Sequence, residues 1–239
     1  MHAEDRRLFA DTELTRLRRA VRDHSWLLGH GYPGRAALKL VGDRHALVER
    51  QRQAVSRCAC ADQALRRRRR RQLAAAELGG RTLHLAGYHV LATVQVALAG
   101  GLVLRGCDGC DRDLASMHGR HRTRTQTGPA LEAIGRALAE LGIAEVAWIL
   151  DRPVPYSGKL VEHLLGAADS RGWNWKAELE TNPDAVLSGS EHVVVSSDGA
   201  VLDACGSWFN LAGVVVGACA NRVFLVDLSP TSGNPPAES

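Results

Sequence analysis

The sequence predicts an α/β protein: a helical N-terminal module followed by a mostly parallel three-layer, Rossmann-like α/β domain. Three observations carry this. Apolar residues in the first 80 positions recur at helical spacing, short β-branched runs alternate with helix-length segments after Gly79-Gly80, and the charge balance changes sign at the same place. Met1 to Arg81 holds 19 Lys and Arg against 9 Asp and Glu, a balance of +10, whereas the remainder carries 11 against 17, a balance of −6. The expected division is therefore 1–80, a basic helical module; 81–228, an α/β domain; and 229–239, a Pro-, Ser- and Gly-rich tail expected to be disordered.

Composition bounds the class. Hydrophobic residues at 45% and charged residues at 23% are those of a soluble globular protein, and 239 residues can bury one large core or two ordinary ones. No apolar run approaches the ~20 residues that span a bilayer, and Met1 to Arg22 is charged throughout instead of carrying a signal-peptide core, so a cytoplasmic protein without a membrane partner is expected. Six cysteines suit a reducing compartment. Cys107 and Cys110 form Cys-x-x-Cys and Cys58 with Cys60 form Cys-x-Cys. The second pair lacks the usual zinc spacing and no His follows at finger distance, so small buried or partly exposed thiols are the expectation.

In the first module Leu14, Leu17, Val21 and Leu28 line one face of a helix, with Arg16, Arg18, Arg19 and Arg22 largely elsewhere around it. Gly29, Gly31 and Pro33 end it. A second helix runs through Ala36, Ala37, Leu40 and Val41 and stops at Gly42; a third runs through Leu47, Gln51 and Val55. Short connections imply antiparallel packing. The continuous block Arg66, Arg67, Arg68, Arg69, Arg70 and Arg71 surrounds a helix axis instead of marking one face. It reads either as a polyanion contact or as a solvated linker helix.

In the second module the apolar runs are Thr82 to Leu85, Leu102 to Leu104, Val146 to Leu150, Trp175 to Leu179, His192 to Val195 and Val223 to Val226, with helical segments such as Leu131 to Leu141 and Leu160 to Ala168 between them. In open parallel sheets the loops at the carboxyl ends of the strands build the site. Val146 to Leu150 ends at Asp151, and Val193 to Ser197 ends at Asp198, with Asp203 five residues later. Leu102 to Leu104 leads into Asp108, Asp111 and Asp113, three acids in six residues, followed by His118, Arg120, His121, Arg122 and Arg124. Carboxylates gathered from separate strands suit Mg²⁺ or Mn²⁺, and the following arginines suit phosphate. Any one of these aspartates could equally be a turn or helix-cap residue. Ser157-Gly158-Lys159 lacks the P-loop frame and reads as a helix start. Trp173 and Trp175 would point to opposite faces of a strand, both as packing or one as a base-stacking surface.

Several of these stretches carry a resemblance. Gly31-Tyr32-Pro33, Ala37 to His45 and Gln51-Arg52 resemble the prokaryotic family known as domain of unknown function 434. Gly87-Tyr88, Asp108-Gly109 to His118-Gly119, Asp151-Arg152-Pro153 with Ser157-Gly158, and Ser196-Ser197-Asp198 resemble its companion, domain of unknown function 5616. More distantly, the strand-end acids are similar to those of PIN-like nucleases. That resemblance implies a compact parallel sheet whose carboxylates hold a divalent metal and cut RNA or DNA. It places Ser196-Ser197-Asp198 at the Thr/Ser-x-Asp strand end, Asp203 as a further acid and Asp151 as a mid-sheet acid. Ala86 stands where the first strand's carboxylate belongs, and Gln95 where a first-helix acid belongs. Asp108, Asp111 or Asp113 would then replace the missing ligand, His89 would supply a nitrogen ligand, or the site would only bind.

The function expected from the sequence is a metal-dependent nuclease acting on nucleic acid, RNA before DNA. Asp108, Asp151 and Asp198 are its catalytic carboxylates, joined by Asp111, Asp113 and Asp203 as metal ligands for Mg²⁺ or Mn²⁺. Arg66 to Arg71 with Arg120, Arg122 and Arg124 are the nucleic-acid contacts. The alternatives are a nucleic-acid-binding protein without catalysis and an assembly scaffold. The oligomeric state is left open.

Overall fold

The computed structural model describes residues 3–114, 124–219 and 221–230. The chain opens with helices α1 (Asp5–Leu8), α2 (Asp11–Gly29), α3 (Gly34–Arg44), α4 (Glu49–Cys58) and α5 (Asp62–Arg71), then a 3₁₀ turn at Ala75–Glu77. The α/β part follows as β1 (Thr82–Ala86), α6 (Gly87–Leu98), β2 (Leu102–Arg105), β3 (Asp111–Asp113), α7 (Arg124–Glu140), β4 (Glu145–Asp151), α8 (Ser157–Arg171), β5 (Trp175–Glu180), α9 (Pro183–Ser188), β6 (Val193–Val195), α10 (Gly199–Ala204), α11 (Leu211–Ala218) and β7 (Phe224–Asp227).

The expected parallel sheet is present as four strands in the order β5-β4-β1-β6, every pair parallel. Period-two alternation sorts its side chains between two covering layers. Leu83, Leu85, Val146, Trp148, Leu150, Val193 and Val195 meet Val90 and Val94 of α6, Ile134 of α7, Leu164 of α8 and Val215 of α11 in the main core. The intervening Ala147, Ile149 and Val194 meet Leu187 of α9, Val201 and Leu202 of α10, and Trp208. Three layers result. Gly87 makes the β1–α6 turn possible, because a Cβ there would stand 2.5 Å from Leu150 Cδ2.

A second sheet was not evident from the sequence. Strands β3-β2-β7 form it, with β2 and β3 antiparallel and β2 and β7 parallel. Leu102, Leu104, Val226 and Leu228 share a core with Leu17, Val21, Val41, Ala54 and Val55 of the N-terminal helices. On its other face Val103 meets Ala97 and Val216. The helices expected as residues 1–80 therefore complete their core on strands from the other half of the chain.

Two local expectations need correction. The second helix does not stop at Gly42 but continues to Arg44. Gly42 is buried within it because a Cβ would overlap the Arg52 guanidinium, which reaches across to Asp43 and the Leu47 carbonyl. Trp173 and Trp175 do not divide between two faces of a strand. Trp173 precedes β5, stacks on Trp175 at 4.7 Å, and Trp175 in turn packs on Trp148.

Candidate functional site

Because the four main strands run parallel, their carboxyl ends share one edge. Ala86 closes β1 opposite Ile149, Asp151 lies two residues further along β4, and Asp151 pairs in register with Glu180 of β5. Beyond β6 the backbone N–H of Asp198 donates to Ser196 Oγ at 3.0 Å, and the Asp198 carboxylate accepts from Ala200 N at 2.8 Å and Val201 N at 3.3 Å. Asp198 is thus the N-cap of α10, which fixes its carboxylate at the helix start.

The same edge carries a further acid, Asp184, set back from the strand end on the short helix α9. Asn182-Pro183-Asp184 follows β5; Asn182 caps α9 by accepting from Ala185 N, and Pro183 sits in its first turn. The Asp184 carboxyl is raised above its ordinary value, first by partial burial and then by the negative charges of Asp198 and Asp151, while His89 pulls it down. Tyr88, at the start of α6, has its hydroxyl pushed up to about 12 by burial and by Asp151. Asp184 therefore lies within electrostatic reach of Asp198, His89 and Asp151, and Tyr88 within reach of Asp151, at the edge formed by the ends of β4, β5 and β6 and the first turn of α6. Among the described residues no three His, Cys, Asp or Glu side chains are already drawn together as a metal site.

The remaining aspartates form a different structure. Asp108 Oδ1 accepts from Arg112 Nη1 at 2.7 Å and Cys110 N at 3.2 Å; Oδ2 accepts from Arg112 Nη2 and from Arg68 Nη1, each at 2.6 Å. Arg68 also makes two 2.9 Å hydrogen bonds to the Asp203 carboxylate. Burial pushes the Asp108 carboxyl up, but Arg112 and Arg68 outweigh it and hold it at about 2. The two arginines spend their remaining donors on the strand end: Arg112 Nε reaches the Ser197 carbonyl at 2.8 Å, and Arg68 Nη2 the Gly199 carbonyl at 3.1 Å. Asp108 and Asp203 thus anchor a brace that grips the backbone on both sides of Asp198. Asp111 is engaged bidentately by Arg105 at 2.8 and 2.9 Å, and Asp113 accepts from Thr93 Oγ1 at 3.3 Å. Their carboxylates lie in buried positions. Of the six aspartates expected as ligands, Asp151 ends β4 and Asp198 follows β6 at the same sheet edge, each acting electrostatically on Asp184, whereas Asp108, Asp111 and Asp203 are directed onto arginines and Asp113 onto Thr93.

The arginine block divides likewise. Arg68 is buried, and Arg71 Nη1 donates to the carbonyls of Asp203 and Cys205. Trp208 Nε1 donates to the Arg68 carbonyl at 2.8 Å, so α5 is docked against the α/β domain. Arg67 is half-buried beside Asp203, at 3.4 Å. Arg66, Arg69 and Arg70 are exposed. Arg66 borders a groove with Asp62, Gln63, Trp26, Gly29 and His30. Trp26 is 58% exposed there and stacks on His30 at 3.9 Å and 29°, the imidazole held by Nδ1–H donating to the Trp26 carbonyl at 2.8 Å. Arg120 and Arg122, with His118 and His121, lie outside the described residues, and Arg124 is the first residue of α7.

Three smaller expectations resolve locally. Ser157 opens α8 with its hydroxyl donating to the Arg152 carbonyl at 3.3 Å, the position before it being Tyr156 in the left-handed region. Gln95 is buried and donates to Thr127 Oγ1 at 3.0 Å. All of Cys58, Cys60, Cys107 and Cys110 are buried. Among the described residues no helix is long and apolar enough to cross a membrane.

Sequence comparison places the molecule. The family model described as Domain of unknown function (DUF5616) matches residues 75–214, more than half of the chain, and the chain belongs to that family. The model described as Protein of unknown function (DUF434) matches residues 16–71. An uncharacterised protein of Methanocaldococcus jannaschii, MJ0935, is 22% identical over 186 residues, covering 78% of this chain and 88% of that protein. No solved structure matches the chain.

Proposed function

We propose that this member of the DUF5616 family is a divalent-metal-dependent phosphodiesterase that cuts RNA at the carboxyl edge of its parallel sheet. The observation that carries the reading is the placement of Asp151, Asp184 and Asp198 at the carboxyl ends of the parallel strands β4, β5 and β6, with the Asp184 carboxyl raised first by burial and then by the charges of Asp198 and Asp151. Asp198 and Asp151 disfavour a second negative charge on Asp184, and a cation bound at this edge would offset that. An all-oxygen donor set of this kind fits Mg²⁺ or Mn²⁺, which keep several waters and need few protein ligands. Bound at this edge, such an ion supplies an electrophile for a phosphate oxygen and a water of lowered pKa.

The chain's own residues have separable tasks. Asp198 presents a carboxylate whose direction is set by the α10 N-terminus and by the Arg68 and Arg112 brace. Asp108 and Asp203 position it without touching substrate. Asp151 and Asp184 complete the acidic rim, and His89 offers a nitrogen beside Asp184. Exposed Arg66, Arg69 and Arg70 are suited to phosphates, and Trp26 on His30 offers a face on which a base can stack.

Incubation of the purified protein with end-labelled single-stranded RNA and Mn²⁺ tests this. The parent should cleave, EDTA should stop it, and Asp151→Asn, Asp184→Asn and Asp198→Asn should each lose at least tenfold. Cleavage by Asp198→Asn at the parent rate, or no cleavage by any form, defeats the enzymatic reading. A second reading, binding without cleavage, is favoured by Ala86 at the end of β1, which contributes no carboxylate to the edge. It requires RNA affinity that falls steeply with salt and is indifferent to EDTA.

A further inference from the structure

The sulfurs of Cys60 and Cys107 lie 3.0 Å apart although 47 residues separate them in the chain. Cys60 sits in the joint between α4 and α5, and Cys107 in the turn between β2 and β3 that also carries Asp108. The turn that carries Cys107 is held to the end of α4 independently of the sulfurs, since Cys107 N donates to the Cys58 carbonyl at 2.8 Å. We propose that Cys60 and Cys107 are a site of oxidative modification, a dithiol that a small hydroperoxide converts to an intramolecular disulfide.

The two sulfurs share one hydrogen bond in which either can be the donor, so the S–H of one stabilises the thiolate of the other. Either sulfur can then act as the nucleophile, here Cys107. Its thiolate attacks one oxygen of the peroxide, the O–O bond breaks, Cys107 becomes a sulfenic acid, and hydroxide leaves. Cys60 sulfur then attacks the sulfenic sulfur and the S–O bond breaks. The expelled hydroxide takes the Cys60 proton, and the net change is two thiols and one hydrogen peroxide to one disulfide and two waters. The neighbours are unsuited: Cys58 and Cys110 are 1% and 0% exposed, and burial pushes each up to about 12. Cys60 and Cys107 keep 5% and 6% exposure, enough for a small oxidant to reach them as the turn fluctuates. The bond would tie the start of α5, and with it Arg68, to the Asp108 turn, fastening covalently the brace behind Asp198.

The test uses the full chain, reduced, freed of reductant and then treated with hydrogen peroxide. Thiol titration in denaturant should fall from the six cysteines of the chain to four. Non-reducing tryptic mapping should join peptide 58–66 to peptide 106–112. The join should persist in Cys58→Ser and Cys110→Ser and vanish in Cys60→Ser and Cys107→Ser. Fragmentation of the parent's joined peptides gives the same assignment should a variant fold poorly. Six thiols remaining after peroxide, a join that survives Cys60→Ser, or protein purified with one zinc per chain and all four of these thiols protected would each overturn the proposal.

Discussion

Asp108 receives four hydrogen bonds on a side chain 1% exposed, two guanidinium groups among the donors. Removing its charge would leave Arg68 and Arg112 facing each other in a buried space, a change that costs about 3–5 kcal/mol when one partner of a buried pair is lost. Asp108→Asn is therefore expected to unfold at markedly lower urea, with any loss of cleavage following from the loosened strand end. The pH dependence has a definite sign. The folded carboxyl is held at about 2 against an ordinary 3.8, so its stabilisation is complete above about pH 4 and is lost as pH falls through 2. Acid titration of the parent by circular dichroism should show this loss, worth about 2 kcal/mol, and Asp108→Asn should lack it. The sequence displays Asp108 as one of three acids in six residues and cannot display its partner Arg68, 40 positions earlier, or the 135 positions between Arg68 and Asp203. A carboxylate's charge is legible locally; what neutralises it is a tertiary fact. Asp184 was obscured for the opposite reason. It follows a strand as Asp151 and Asp198 do, but four residues late, on the short helix that Asn182 and Pro183 start.

At the scale of elements, β6 and α10 show how one residue can hold a helix cap and a site position together. Asn replaces Asp as an N-cap with little loss, whereas Ala forfeits about 1 kcal/mol. Asp198→Asn should therefore match the parent's thermal midpoint within a degree or two while losing cleavage. Asp198→Ala should lose cleavage and also melt several degrees lower; equal melting of the two variants would show that the cap contributes nothing. Helix α5 makes a related distinction. Six consecutive arginines read from sequence as a uniform sleeve of charge, yet packing sends Arg68 inward and ties Arg71 to two carbonyls, while Arg66, Arg69 and Arg70 stay in solvent. The helical pitch was legible; which face would be docked depended on Asp108 and Asp203. Reversing the three exposed charges with Arg66→Glu, Arg69→Glu and Arg70→Glu should leave folding intact and weaken RNA binding at least tenfold at 0.1 M salt. Trp26→Ala should weaken it about 5- to 150-fold if a base stacks there, because such stacking contributes about 1–3 kcal/mol. Filter binding of the folded variants measures both.

For the whole molecule, the change of charge sign near Gly79-Gly80 marks a change of secondary structure and not an interruption in packing. Leu102, Leu104 and Val226 close the core of α2, α3 and α4, and Arg68 joins α5 to Asp108 and Asp203. Hydrophobic periodicity reveals that a strand such as Leu102 to Leu104 is buried on both faces but not which helices cover it, so the second sheet could not be assigned to a partner in advance. The packing has a thermodynamic consequence. Cutting the chain after Gln72 would expose the β2 and β7 face, leave Asp203 without Arg68, and strip the N-terminal helices of the strands that finish their core. Residues 73–230 expressed alone are expected to be aggregated or molten, with weak near-ultraviolet dichroism, and residues 1–72 to be largely unfolded. The intact chain should unfold in one transition. A tryptophan probe at Trp26 and the buried pair Trp148 and Trp175 lie in opposite halves, and single-tryptophan variants should report the same urea midpoint. Two separated midpoints would mean that the halves are independent domains and that the Arg68 brace couples them only weakly. Coincident midpoints that fall together in Arg68→Ala would show that one buried guanidinium contributes to the cooperativity of the entire fold.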